Sequence, residues 1–349
     1  MAFFLVFALS FALAFTLAPL TGRLGSRLGI VDMPGGRRRH AGAVSRLGGI
    51  ALFVAFVIGV LFSRFLPPAL SLPMPEGPNP KEPLHVFGIL LGSTFLFVVG
   101  LWDDRHELGA PTQLIFQIIA ALIAIGTEVF IERVTSPFSN QLVVFPWFIT
   151  AAFTIFWIVG MVNTFNFLDG LDGLAAGVAA ITATVLAVHM IREGQYTVSL
   201  LPLALLGATL GFLPYNFHPA KVFMGSSGSF FLGYAVATLS IVGGARMATI
   251  LLVLGVPIMD VAWLIVDRLR RGRSPGLGDR AHLHFRLLDI GISHRVIVLI
   301  YWAFCAFFGA LALLISSRIY KLIALILLGA LTLAVLVLVS RYGGEEDPV

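Results

Sequence analysis

Apolar residues along this chain come in long blocks, parted by short stretches that hold nearly all the polar residues. The blocks are about 17–22 residues long, enough for a helix to cross a hydrocarbon core of roughly 30 Å. They run over 2–20, 47–66, 85–101, 112–128, 146–162, 173–191, 198–213, 229–243, 248–267, 296–316 and 321–340. The pattern predicts an all-α integral membrane protein, a polytopic bundle of about eleven transmembrane helices. Ten is the alternative count, because Gly243-Gly244 makes only a short break. The proline-rich segment 67–84 reads as an extended connector, and Glu132 to Val144 as a short hairpin. No loop is long enough for a second globular unit, so 1–349 is taken as one polytopic domain. The absence of a strong internal repeat argues against a transporter built from inverted halves.

Composition sharpens this picture. Hydrophobic residues make up 58% of the 349 positions and charged ones 12%, where soluble domains carry about a quarter charged. Met1 to Leu20 lacks a basic n-region, so a retained first span is expected rather than a cleaved signal. The one cysteine, Cys305, lies in an apolar block and reads as a small buried hydrophobe.

The excess of Lys and Arg, 23 against 18 Asp and Glu, sits between spans. That placement excludes nucleic acid as the expected partner and favours membrane lipids and phosphorylated substrates. With the N-terminus outside, sixteen basic residues fall inside, from Arg23 and Arg27 through Arg268 to Arg341, against seven outside. Positive-inside bias then puts the C-terminus in the cytoplasm.

Acidic, amide, glycine and histidine residues cluster at the inner ends of the blocks. Asp103-Asp104 closes the third span. Adjacent carboxylates repel and need a cation, and Mg²⁺ suits them, although a solvated loop-entry pair reads the same way. Asn163, Asn166, Asp169 and Asp172 recur every third residue, with Gly170 and Gly173 allowing an irregular helix end. Capping would account for one of the four. Asn216 leads into Met224-Gly225-Ser226-Ser227-Gly228-Ser229, where a Gly/Ser helix start offers backbone N–H groups as a phosphate seat, or forms a plain turn. His282 and His284, with Arg280 before them, could contact a diphosphate or lie on the surface. Asp32, Arg37, Arg38, Arg39 and His40 form a basic stretch that anchoring alone would explain only in part. Asp260 is costly inside a span and is a functional candidate for that reason, with Asp267 on the same face.

In this order, over about Val31 to Ser293, these segments resemble the polyprenyl-phosphate N-acetylhexosamine-1-phosphate transferases (glycosyltransferase family 4). The His282-Leu283-His284 loop looks like members that use UDP-N-acetylglucosamine. The resemblance implies transfer of a sugar-1-phosphate from a UDP-sugar to undecaprenyl phosphate with release of UMP, in a cytoplasmic cleft of a bacterial inner membrane. It implies Asp103, Asp104 and Asp169 as catalytic or metal residues for Mg²⁺, with Mn²⁺ as an alternative. It implies Asp32, Arg37, Arg38, Arg39, His40, Asn163, Asn166, Asp172, Asn216, Arg280, His282 and His284 as substrate contacts, and leaves a homodimer open.

Two positions depart from the family pattern. Ser226 stands where the family keeps a metal-ligating aspartate, and Phe285 where many relatives have another histidine. A neutral hydroxyl is a poorer Mg²⁺ ligand, so an impaired or non-catalytic lipid- and nucleotide-binding relative is one alternative. A phospho-MurNAc-pentapeptide transferase-like enzyme is the other.

Overall fold

The computed structural model describes residues 1–33, 42–66, 80–244, 247–270, 272 and 282–342. Its elements, in chain order, are α1 (Ala2–Leu28), β1 (Val31–Asp32), β2 (Val44–Ser45), α2 (Gly48–Arg64), α3 (Glu82–His106), α4 (Ala110–Gly126), β3 (Arg133–Thr135) and β4 (Leu142–Val144). There follow α5 (Trp147–Leu168), α6 (Leu174–Arg192), α7 (Tyr196–Asn216), α8 (Gly225–Val242), α9 (Met247–Val253), α10 (Gly255–Arg270), α11 (Leu283–Asp289), α12 (His294–Leu314) and α13 (Arg318–Tyr342). The fold is an all-α polytopic membrane bundle.

Among the described residues, eight helices are long and apolar enough to cross a membrane. The segment 248–267 is not one straight helix: α9 and α10 meet at 82° across Leu254, and count as a ninth span if taken together. The helices α2 and α4, at 17 residues each, are shorter than the rest. The extra-membrane hairpin is present, with Arg133 paired to Val144 and Thr135 to Leu142 in an antiparallel register.

Helix α8 is the axis on which the site is built. It packs against α2, α3 and α5, while α7 packs against α1, α2 and α6. Phe230, Phe231 and Tyr234 are fully buried on α8. Lipid tails are as apolar as Leu, so close packing and interhelical hydrogen bonds, rather than water exclusion, must hold the helices together. Two such bonds are the Tyr234 hydroxyl to the Gly88 carbonyl of α3 and the Trp157 indole N–H to Ser240 Oγ, both 3.1 Å.

Backbones approach closely at the first turn of α8. A Cβ on Gly100 of α3 would lie 2.4 Å from the Ser227 Cα, and one on Gly49 of α2 would lie 2.4 Å from the Gly228 nitrogen. Only glycine lets these backbones meet. The ends of α2, α3 and α8 are thereby drawn into one small volume.

Candidate active site

The last turn of α3 carries two carboxylates with different neighbours. Asp104 accepts hydrogen bonds from the Ser226 amide at 2.7 Å and the Ser227 amide at 3.1 Å, one on each oxygen. It caps the N-terminus of α8, where unsatisfied N–H groups and the helix dipole favour negative charge. The sequence had offered these N–H groups to a substrate phosphate; a carboxylate of the chain itself takes them. Asp103 uses Oδ1 to accept from the Leu108 amide at 2.8 Å and from Gln113 Nε2 at 2.9 Å. That holds the chain as it leaves α3 through Glu107, whose φ is 48°.

The Asn163–Leu174 string straddles the α5–α6 junction. Helix α5 ends at Leu168, Asp169 is its C-cap, and Gly173 takes φ 83° before α6 begins. The four polar residues therefore do not share one helical stripe. Asn163 points to α4, donating to Gln117 Oε1 at 2.7 Å and to the Val159 carbonyl. Asn166 Oδ1 accepts from Ser229 Oγ of α8 at 3.1 Å.

Asp169 accepts no side-chain hydrogen bond that ties it to another described residue. Loss of water raises its pKa well above the usual carboxylate range, and the negative charges of Asp104 and Asp172 raise it further, against the pull of Arg46. A carboxylate crowded by like charges is what a divalent cation relieves. Asp169 offers carboxylate oxygens of the kind a magnesium-type site uses, with the Asp104 charge acting on it. Asp104 fits less well, since both its oxygens are engaged.

Asp172 turns away toward α12. Its Oδ2 accepts from the Ala220 amide at 3.0 Å and lies 2.8 Å from His218 Nδ1. His218 stacks on His294, with centroids 4.1 Å apart and planes inclined by 17°. The ligating atoms of Asp172, His218 and His294 lie within 4.8 Å of one another. Near-parallel rings keep their lone pairs in separate planes, so a shared ion would require one imidazole to turn. Asn216 is buried and used at both ends, accepting from the Gly173 amide and donating to the Val222 carbonyl, each at 3.1 Å. It clamps the α6 start to the approach to α8.

The two loop histidines are buried at the same end of the bundle. His282 is the N-cap residue of α11 and meets Asp260 of α10, Nδ1 to Oδ2, at 3.0 Å. The other Asp260 oxygen accepts the Leu283 amide at 2.9 Å. The His282 ring lies 4.8 Å from Phe167 and 5.4 Å from His284. Both ring nitrogens of His284 are buried without a hydrogen-bond partner among the described residues. A Cβ on Gly170 would sit 2.7 Å from His284 Nε2, which puts that ring against the Asp169-Gly170 turn. Burial lowers the His284 pKa to about 3, outweighing the attraction of Asp260.

Asp32, on β1, forms an ion pair with Arg46 at 2.9 Å, and Arg46 reaches Glu107 at 3.4 Å. Arg37, Arg38, Arg39, His40 and Arg280 lie outside the described residues.

The structure joins Asp104 to Ser226, sets Asn166 against Ser229 of the same helix start, puts Asp169 within reach of the Asp104 charge and the His284 ring against Gly170, and sets Asn163, Asp172 and Asn216 to holding helix ends. Sequence reasoning passed over Gln113 and Gln117. Two glutamines four apart in the apolar α4 were a readable signal, because an amide in lipid needs a partner.

Residues 86–244 match the family model described as glycosyl transferase family 4. The chain is 32% identical over 301 residues to a "Probable undecaprenyl-phosphate N-acetylglucosaminyl 1-phosphate transferase" of Bacillus subtilis (strain 168), covering 84% of this chain and 80% of that protein. The chain belongs to this family. It is also 35% identical over 339 residues to a "Decaprenyl-phosphate N-acetylglucosaminephosphotransferase" of Mycobacterium tuberculosis (strain ATCC 25618 / H37Rv), covering 89% and 82%. A third relative, from Thermotoga maritima, is named "Undecaprenyl-phosphate alpha-N-acetylglucosaminyl 1-phosphate transferase" and is 30% identical over 318 residues, covering 90% and 91%. Family membership makes the chain a phosphoglycosyl transferase by class. The matched region contains the α3 carboxylates, the α5–α6 turn and the start of α8.

Proposed function

We propose that this protein transfers N-acetylglucosamine-1-phosphate from UDP-N-acetylglucosamine to undecaprenyl phosphate, releasing UMP, as a first membrane step of lipid-linked envelope glycan synthesis. The observation that carries this reading is the meeting of Asp104 and Asn166 with the start of α8, with Asp169 within reach of the Asp104 charge and His284 against the Asp169-Gly170 turn. Family membership and the relatives' names supply the reaction class. Phosphoryl transfer needs alignment and charge neutralisation more than covalent help.

In this reading Asp169, with Asp103, Asp104 and Ser226, would hold Mg²⁺ or Mn²⁺, which would supply charge neutralisation for phosphate. Asp103 and Asp169 orient the acceptor phosphate, Asn166 borders the nucleotide, and His282 and His284 face the sugar or diphosphate. Asp260 fixes the His282 ring. The basic stretch 37–40 and Arg280 add phosphate contacts. The site end faces the cytoplasm of a bacterial plasma membrane with the N-terminus outside, supported by the positive-inside distribution of Lys and Arg.

Ser226 favours one second reading, a relative that binds lipid and nucleotide without turning them over. Purified full-length protein, assayed for UMP release with undecaprenyl phosphate, Mg²⁺ and a panel of UDP-sugars, separates the two. Turnover that requires Asp169 and is highest with UDP-N-acetylglucosamine is the expected result. If neither the natural chain nor Ser226→Asp releases UMP while both bind nucleotide, the transferase reading fails. Light scattering on the same sample reads whether a homodimer forms.

A further inference from the structure

Away from the carboxylates and histidines, a cup of about 420 Å³ opens between the end of α1, the residues before and within β2, and the loop from α7 to α8. Arg23 and Arg27 line it from α1, one helical turn apart and so on the same side. Lys221 faces them from the loop, and Ser26 and Tyr215 add hydroxyls. Arg23, Arg27 and Lys221 form no ion pair among the described residues.

The cup is fixed by backbone contacts. The Lys221 amide donates to the Tyr215 carbonyl at 2.8 Å. Ser45 and Val222 form an isolated parallel bridge. A Cβ on Gly22 would lie 2.8 Å from Val222, so α1 is pressed against the loop. Three cations with no ion pair among the described residues, held in one concave site, repel one another, and an anion relieves that cost.

A line of aromatic rings leads to the cup along the membrane. Phe7, Phe11, Phe15 and Tyr215 follow one another with centroids 6.1, 6.0 and 5.3 Å apart. Phe15 is 41% exposed. From Phe7 to Arg23 α1 rises about 24 Å, most of a hydrocarbon core of roughly 30 Å. A basic cup at the end of such a ladder matches an amphiphile with an anionic head and a long apolar chain.

We propose that this cup is a lipid-phosphate seat. The head phosphate lies among Arg23, Arg27 and Lys221, and the chain runs along Phe15, Phe11 and Phe7. None of the carboxylates or histidines of the candidate active site lines it, so the seat is additional to the acceptor position there and does not depend on the transferase reading. The shared chemistry is a phosphate on a membrane lipid, whether an anionic phospholipid or a polyprenyl phosphate.

Native mass spectrometry of the purified full-length protein tests this by titration with phosphatidylglycerol, phosphatidylcholine and undecaprenyl phosphate in turn. The natural chain should retain an anionic lipid in preference to zwitterionic phosphatidylcholine. Each cation contributes roughly a factor of five, so Arg23→Gln/Arg27→Gln/Lys221→Gln should weaken that retention on the order of a hundredfold. Loss confined to phosphatidylglycerol assigns the seat to bulk phospholipid. Loss of one of two equivalents of undecaprenyl phosphate assigns it to the polyprenyl lipid. The single reversal Arg27→Glu, on an exposed helix surface, should weaken retention more than fivefold and decides the matter if the triple variant does not fold. Phe11→Ala should weaken a long-chain phosphatidylglycerol more than its dihexanoyl form. Unchanged preference for anionic lipid in both charge variants overturns the proposal, whatever the protein's activity.

Discussion

The Asp104 carboxylate accepts the Ser226 amide proton at 2.7 Å, and this bond joins the last turn of α3 to the first turn of α8 across 122 residues of chain. The second oxygen takes the Ser227 amide, so one side chain satisfies two of the N–H groups that a helix start leaves open. Asp104 is therefore a structural cap as well as a member of the carboxylate cluster. Removing it should show in stability, separately from any effect on turnover. Asp104→Ala leaves both amides without an acceptor and should cost about 2 kcal/mol. Asp104→Asn keeps one acceptor and should cost less. Thermal unfolding in detergent reads both, and equal melting temperatures for the two variants would contradict the capping role.

His282 and Asp260 form a second pairing, buried at both partners. Asp260 holds His282 Nδ1, so the other nitrogen has a fixed direction and tautomer. Asp260→Asn retains an acceptor for the Leu283 amide but changes what faces the imidazole. It should lower kcat/KM about tenfold, the equivalent of roughly 1.4 kcal/mol, with little change in melting temperature. A shift in the pH profile of the rate would accompany it, since a purely packing role leaves that profile in place.

His284 makes acid stability predictable in sign. Burial lowers its pKa from 6.5 to about 3 in the folded chain, while an unfolded chain titrates near 6.5. Between these values the unfolded state binds the proton and the folded state does not. Its contribution is complete above pH 6.5 and is lost as pH falls toward 3, by up to about 1.4 kcal/mol per pH unit. The drop in melting temperature from pH 7 to pH 5 should shrink in His284→Gln.

Gly100 and Gly160 test the packing argument in opposite directions. A Cβ at Gly100 would meet the Ser227 backbone, while one at Gly160 meets nothing within 4 Å. Gly100→Ala must push α3 from α8 and should destabilise by about 1–3 kcal/mol while loosening the carboxylate cluster. Gly160→Ala should be neutral or stabilise by up to about 1 kcal/mol through helix propensity. Melting temperatures and UMP release measured side by side check both.

The spans and the existence of a polar end were legible in the sequence because lipid imposes a length and leaves the apolar blocks uninterrupted. The same holds for the hairpin at 132–144 and the irregular α5–α6 turn, which glycines and an apolar-to-polar change announce locally. The bend at Leu254 has a local cue in Gly255 and Pro257, whose ring nitrogen cannot donate to the Val253 carbonyl, but its 82° angle was not legible in the sequence. Nor were the roles of individual polar residues. Asn163, Asn166, Asp169 and Asp172 look alike by spacing, yet one pairs with Gln117, one with Ser229, one stands among like charges, and one holds His218. Asp103 and Asp104 are neighbours in sequence and do different work, because successive side chains on a helix point about 100° apart. The sequence by itself determined which residues would be costly to bury in a membrane. The tertiary structure decided which partner repays each cost, because that depends on which helix ends the glycines at 49 and 100 allow to touch α8.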